Sequence, residues 1–256
     1  MKRLVMGGLR RARNLVWPTP PSHWKKSFSQ QGEDVVLDCL FQGKTGGFYV
    51  DVGAHHPQRF SNTCLLHGRG WRGINIDATP GSMEPFRRLR PQDINLECGV
   101  SEQAKTLAFH LFNEPALNGF SAELSKERDG VGHFRLISTI PVPSRPLREL
   151  LAEHLPSGQR IDLLNVDVEG FDLEVLRSND WTKYRPTIVI AEEILSFEID
   201  GHFPQSPLVE LMRGFDYAPC GKAVHSVFFV AREQIRYGAD HGVHLGPITG
   251  QPGGSV

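Results

Sequence analysis

The 256 residues contain no Cys-x-x-Cys pair, and the four cysteines, Cys39, Cys64, Cys98 and Cys220, are widely scattered. That spacing argues against a disulfide scaffold or a structural zinc site, and for a reducing, cytoplasmic setting. No uninterrupted apolar run comes near the roughly 18 residues that a membrane-spanning helix requires. Net charge is equally scarce: the formal value of −1 gives no global drive toward nucleic acid or an acidic surface. Any G-x-x-x-x-G-K-[ST] phosphate loop is missing too.

What is present is the composition of a soluble globular protein, 39% hydrophobic and 22% charged. The length suits one domain with a proper core. The local charge anomaly is at the start, where Met1-Lys2-Arg3 and Arg10-Arg11-Ala12-Arg13 flank a short apolar patch. Val5, Leu9, Ala12 and Val16 fall on one helical face there. Two readings stand side by side: a frayed or partner-docked helix, and a basic amphipathic helix in weak peripheral contact with an anionic membrane. Trp17-Pro18-Thr19-Pro20-Pro21 ends it. The expected organisation is residues 1–27 as basic helix and Pro-rich linker, 28–236 as the main domain, and 237–256 as a mobile Gly- and Pro-rich tail.

Within the main domain, strand and helix patterns alternate. A helix over 35–41 precedes a strand over 48–52, and a second helix starts at Ser61. A strand over 72–77 leads to a helix opened by Thr79-Pro80 and running to Leu89, then to a third strand over 94–100. Residues 107–112 alternate like an accessory strand, and 113–133 reads as a long functional loop. Beyond 137–142, extended, and 147–155, an amphipathic helix, lie two further core strands over 160–167 and 186–192, separated by a helix over 171–177. Ser206-Pro207 starts a last helix, and 215–218 and 226–231 read as a closing pair of strands. This order is the signature of an α/β, doubly wound, mostly parallel sheet.

Three of the strands end in acid, at Asp51, Asp77 and Asp167. In such a sheet ligands sit beyond the C-terminal strand ends, where strand order reverses. The first of these ends continues as Asp51-Val52-Gly53-Ala54-His55-His56-Pro57, where glycine lets the backbone approach a ligand. Asp77 follows Gly53 by 24 residues, close to the spacing of about 20 at which an acid grips a ribose hydroxyl. A dinucleotide would want further glycines here, but Gly53 is followed by Ala-His-His-Pro-Gln-Arg, which speaks against a dehydrogenase. A cofactor without phosphate fits better. The sulfonium and ammonium of S-adenosyl-L-methionine tolerate acids that would repel a pyrophosphate. Helix N-capping is the ordinary alternative for each acid taken alone.

Several segments together carry a family resemblance: Ser29-Gln30-Gln31-Gly32-Glu33-Asp34, Phe48-Tyr49-Val50-Asp51-Val52-Gly53-Ala54, Ser61-Asn62-Thr63 and Gly70-Trp71-Arg72-Gly73-Ile74-Asn75-Ile76-Asp77. The most specific is Ile161-Asp162-Leu163-Leu164-Asn165-Val166-Asp167-Val168-Glu169-Gly170. On these the chain resembles the FkbM-type S-adenosylmethionine-dependent methyltransferases over roughly 28–193. The resemblance implies a Rossmann-like, class I methyltransferase fold: a seven-stranded sheet with helices on both faces. It also implies S-adenosyl-L-methionine as cofactor and O-methyl transfer to a hydroxyl of a saccharide, glycan or natural product, as in polysaccharide biosynthesis. His55-His56-Pro57 stands where many relatives carry Asn and Gly, which bears on loop geometry. Asn165 stands where many carry Lys, which bears on acceptor choice.

By the same resemblance Asp51, Gly53, Ala54 and His55 line the methionine end of the cofactor, and Ser61 and Asn62 bond its carboxylate. Asp77 takes the ribose diol beside Ala78, and Gly99 and Val100 flank the adenine. An alcohol acceptor must also lose a proton, for which Asp167, Glu169 and His56 are the candidates. Asp167 and Glu169 point to the same side if the chain there is extended. Glu169 as a helix cap and His56 as a loop-shaping residue are the structural alternatives. Asp167, Glu169, His55 and His56 could together hold a divalent metal, but they match no recognised ligand spacing, and no metal is expected. Two other functions remain open: an N- or small-molecule methyltransferase of the same fold, and a catalytically silent binding module.

Overall fold

The computed structural model describes residues 25–193, 206–237 and 243–245. The helix expected at the start of the chain lies outside them. Twelve strands occur among the described residues. Seven make the main sheet: β1 (Phe48–Val52), β2 (Arg72–Asp77), β3 (Ile94–Glu97), β7 (Leu163–Val166), β8 (Ile188–Glu192), β9 (Tyr217–Ala223) and β10 (Ser226–Ala231). Their spatial order is β3-β2-β1-β7-β8-β10-β9. Only β10 runs against its neighbours, so the sheet is mostly parallel, as expected. The chain winds outward from β1 to β3 and then returns to lay β7 on the other side of β1. Strand order therefore reverses between β1 and β7, the position where such sheets open a ligand crevice.

Both faces of the sheet are covered, which is why all five residues of β1 are buried. Side chains alternate along the strand. Phe48, Val50 and Val52 pack in one cluster with Leu147 and Leu151 of the helix Leu147–His154, Val175 of Asp172–Arg177 and Met212 of Pro207–Gly214. Tyr49 joins the opposite cluster with Leu37 of the helix Glu33–Leu40, Leu66 of Cys64–Gly68 and the buried Trp71. No helix among the described residues is long and apolar enough to cross a membrane.

Several boundaries differ from the sequence reading. The helix expected from Ser61 begins at Cys64, because the Ser61 amide donates to the Phe28 carbonyl instead (3.1 Å). The helix expected from Thr79 begins at Met83: Asp77 Oδ1 accepts the Thr79 amide (2.7 Å) in a local turn that delays it. The single strand expected over 94–100 breaks at Cys98. Its first half is β3, and its second, β4 (Gly99–Val100), joins a separate three-stranded sheet with β6 (Leu136–Arg145) and β5 (Lys105–Phe112). The expected loop over 113–133 is partly ordered, as a 3₁₀ turn (Pro115–Leu117) and a helix (Ala122–Arg128) whose Leu124 amide is capped by Ser121 Oγ (3.2 Å). Within the stretch expected as a tail, β12 (Val243–Leu245) pairs with β11 (Ile235–Tyr237). A G-x-G-x-x-G spacing does exist at Gly68 to Gly73, but it leads from a helix into β2. That is the reverse of the strand-to-helix order a dinucleotide fingerprint needs.

Candidate active site

Four strands share one ending, polar–apolar–polar or glycine: Asn95-Leu96-Glu97, Asn75-Ile76-Asp77, Asp51-Val52-Gly53 and Asn165-Val166-Asp167. Strand register sets Asn95, Asn75, Asp51 and Asn165 side by side as one polar rung. Asn75 Nδ2 donates to Asn95 Oδ1 (2.8 Å), and Asn165 Nδ2 to Asp51 Oδ1 (2.8 Å). One step further, at the strand ends, stand Glu97, Asp77, Gly53, Asp167 and Glu192. Glycine leaves the gap in that outer row. Gly53 has φ +82°, and a Cβ on it would lie 1.8 Å from the Asp167 carbonyl oxygen. No other residue fits so close to the opposing chain.

A cleft open to solvent lies over this gap. Gly53, His55, Asp77 and Ala78 line it from the β1–β2 side, Gly99 and Val100 from β4, and Asp167 and Glu169 from beyond β7. Phe60, Asn118 and Phe120 complete the rim. Among these lining residues no lysine or arginine occurs.

The β1–β2 bank is held by a buried polar network. Arg90, only 2% exposed, donates to Tyr49 Oη (3.1 Å), Thr63 Oγ1 (2.9 Å), Ser61 Oγ (3.1 Å) and the Pro57 carbonyl. Thr63 in turn donates to Asp51 Oδ2 (2.7 Å), and Asn62 Nδ2 to Asn165 Oδ1 (3.0 Å). Burial pushes the Asp51 carboxyl up, and Thr63, Asn165 and Arg90 oppose that. Asp77 is clamped on the rim: its Oδ2 accepts the His55 amide (2.8 Å) while Oδ1 holds Thr79.

The opposite bank is crowded with acid. Burial drives Asp167 well above the usual carboxylate range, and Glu169 and Asp172 push it further. Burial also raises Glu169, against its ion pair with Arg128. Glu192 is pushed up to about 11 and Asp172 to about 8, each by burial first. Glu169 sits at φ +56°, a region non-glycine residues rarely occupy. The chain there is turned rather than extended, so the expected i, i+2 alignment with Asp167 does not hold. The two acids still meet on one side of the cleft, because the turn brings Glu169 back.

Of the residues expected at the site, Gly53, His55, Asp77, Ala78, Gly99, Val100, Asp167 and Glu169 line the cleft. The others stand behind it. Asp51, Ser61 and Asn62 are engaged in the buried network, and Ala54 packs on Met83 and Phe86. Asn165, expected to bear on acceptor choice, is 3% exposed and links Asp51 to Asn62. His56 is also outside the lining: its Nδ1 accepts the Gln58 (3.1 Å) and Arg59 (3.0 Å) amides, the loop-shaping alternative. His55 stacks on Phe60 and accepts from Arg59 (3.2 Å) at its Nε2, and burial lowers its pKa. Sequence reasoning missed Arg90 as the network's centre, since an arginine after Arg87-Arg88 at a helix end reads as solvated. It also missed Asp172 and the convergence of Glu192 on Asp167 and Glu169. The strand-end position of Glu192 was a signal for the latter.

Similarity to known proteins agrees with this geometry. The chain is similar to Methyltransferase sdnD of Sordaria araneosa, 31% identical over 144 residues, which are 47% of this chain and 53% of that protein. It thus spans about half the length of that relative. The model of the Methyltransferase FkbM domain matches residues 51–217, a span running from the Asp51 rung through both banks of the cleft to β9, and the chain belongs to that family of methyltransferases.

Proposed function

We propose that the protein is an S-adenosyl-L-methionine-dependent O-methyltransferase acting on a hydroxyl of a saccharide, glycan or natural-product acceptor. The observation that carries this reading is the cleft's charge. Asp77, Asp167 and Glu169 line it without a lysine or arginine, a wall that repels phosphates and suits a ligand bearing sulfonium and ammonium. The fit extends to shape. Gly53 leaves the space a Cβ would fill. Each Asp77 oxygen accepts one backbone amide and keeps a lone pair for a ribose hydroxyl. At Gly99 a Cβ would come within 2.6 Å of the Phe120 ring, so the wall expected to flank adenine tolerates only glycine.

When bound, the cofactor supplies an electrophilic methyl group on a cationic sulfur. The chain's own work is positioning and proton removal. Asp167 and Glu169 stand where an acceptor hydroxyl approaching over Gly119 and Phe120 meets the cleft. Their raised pKa values make them stronger bases than free carboxylates, and their mutual repulsion favours one of the pair carrying the proton. A base so placed contributes about 10²–10⁴-fold. Phe60, 38% exposed on the rim, offers an aromatic surface to an acceptor ring. Asn113 is engaged by His133 and Arg135, and Ser121 caps a helix.

Two measurements test the reading. Calorimetry with S-adenosyl-L-methionine should give saturable binding; no heat at concentrations that saturate typical methyltransferases would favour a silent binding module. Incubation with methyl-labelled cofactor and a panel of saccharides, glycans and natural-product alcohols should then place label on oxygen by mass spectrometry. Label on nitrogen alone would overturn O-transfer.

A further inference from the structure

We propose that Asp167, Glu169 and Glu192 hold a hard divalent cation, Mg²⁺ or Mn²⁺, at the acceptor end of the cleft. Its role in transfer rests on the O-methylation reading above; its binding does not.

β7 and β8 are parallel neighbours with Val166 opposite Ala191, so the next residues, Asp167 and Glu192, leave the sheet side by side. The left-handed turn at Glu169 brings a third carboxylate back onto them. One oxygen from each acid lies within 4.8 Å of the other two. Oxygens bound to one ion lie at most about twice the bond length apart, roughly 4.2 Å for Mg²⁺ and 5.2 Å for Ca²⁺, so small side-chain rotations close this set on the smaller ion. An all-carboxylate set selects hard cations over softer ones.

A second observation comes from Asp172, which supplies none of those three oxygens. It is 4% exposed, and its Oδ1 accepts the Glu192 amide (3.1 Å). Its carboxylate also faces the Val168 amide, so it is wedged between the chain ends that carry the three acids. Its Oδ2 is fully buried with no hydrogen-bond partner, and so is Glu192 Oε2. Buried carboxylate oxygens without partners are costly, and they mark places where an ion or water belongs. Positive charge nearby is thin. Arg128 engages Glu169 through Oε2 alone, and His225 acts on the same residue. Among the described residues these four carboxylates thus face one guanidinium and one imidazole, and a divalent ion supplies the balancing charge. Glu169 Oε1, Asp167 and Glu192 are the oxygens it takes, with its remaining positions open toward the cleft and an acceptor hydroxyl.

The test is Mn²⁺ titration of the chelator-stripped full chain, followed by electron paramagnetic resonance without cofactor. The free-ion signal should fall as the protein binds Mn²⁺ and return when Mg²⁺ is added. Glu192→Gln should weaken binding by at least about tenfold. Asp167→Asn takes its place if circular dichroism shows the first variant misfolded. An unchanged free-ion signal with the wild type, or a variant curve that overlays it, overturns the site. Cofactor calorimetry on the same sample separates the two ideas. Cofactor heat without Mn²⁺ binding sinks only the ion, and Mn²⁺ binding without cofactor heat sinks only the cofactor.

Discussion

The two banks of the cleft solve the same problem in opposite ways. Each buries carboxylates at the ends of parallel strands. On the β1–β2 bank Asp51 is matched oxygen for oxygen by Thr63 and Asn165, with Arg90 donating to Thr63 in turn and Asn62 to Asn165. On the β7–β8 bank Asp167, Glu169, Asp172 and Glu192 crowd together, with Arg128 the one guanidinium paired to them among the described residues. A satisfied buried network fixes geometry, whereas an unsatisfied one stores a demand for charge. The first bank is therefore scaffold for the cofactor's position, and the second is where a proton, a cation or an acceptor changes the balance.

Breaking the scaffold should give the largest effect. Arg90→Leu leaves Tyr49 Oη, Ser61 Oγ and the buried Pro57 carbonyl without that donor, removes the positive charge that opposes the burial of Asp51, and should cost about 3–5 kcal/mol, read from urea unfolding. A midpoint within error of the wild type would mean the network does not hold the bank. Gly53→Ala comes next, at about 1–3 kcal/mol for forcing a side chain to φ +82°. The new methyl group would also meet the Asp167 carbonyl oxygen at 1.8 Å, so the banks must part and cofactor binding should suffer together with folding. Calorimetry that matches the wild type would remove Gly53 from the site.

A pair of carboxyl-to-amide changes tests the comparison directly. Asp51→Asn takes a charged acceptor from two donors and should destabilise by about 1.5–3 kcal/mol. Glu192→Gln replaces a carboxyl that burial holds protonated, its pKa pushed up to about 11, and so removes the cost of protonating it on folding; it should stabilise the metal-free protein at neutral pH, with a melting temperature raised by about 2–4 °C. Equal signs for the two variants in thermal unfolding would show that the banks do not differ.

The sequence carried the fold almost completely, because hydrophobic periodicity and acid-ended strands report directly on a parallel sheet. It carried the cleft lining about as well where backbone position decides, as at Gly53, Asp77 and Gly99. It failed where a side chain's partners come from far along the chain. Asp51, Ser61 and Asn62 look like ligand contacts until partners from elsewhere in the chain claim them: Thr63 and Asn165 for Asp51, Arg90 for Ser61, and Asn165 for Asn62. Asn165 is opaque for the same reason: only strand register reveals that it faces Asp51. The 98–133 region resisted because Cys98 moves the chain from one sheet to another, an event without a local signal.

The smallest expected effect lies at the exposed mouth, where Arg59 reaches from the first bank to Glu114 beside the 3₁₀ turn. The pair is bidentate, at 2.9 and 2.8 Å, but half open to water, so Glu114→Gln should cost only about 0.2–1 kcal/mol at neutral pH. The sign of its pH dependence follows from the hydrogen bonds of Arg59, which hold the Glu114 carboxyl below its ordinary range. A carboxyl lowered on folding stabilises the protein above its unfolded value of about 4.3 and loses that contribution as pH falls through the folded value. The difference between wild type and variant should thus be present at neutral pH, shrink in acid, and shrink again in high salt as the ions are screened. Because Arg59 also holds His55 and lies over Phe60, the variant should release cofactor faster in stopped-flow chase, with little change in the rate of capture. A difference that grows in acid would mean that Glu114 acts through some other contact, and that the matched pairing of the first bank stops short of the cleft's mouth.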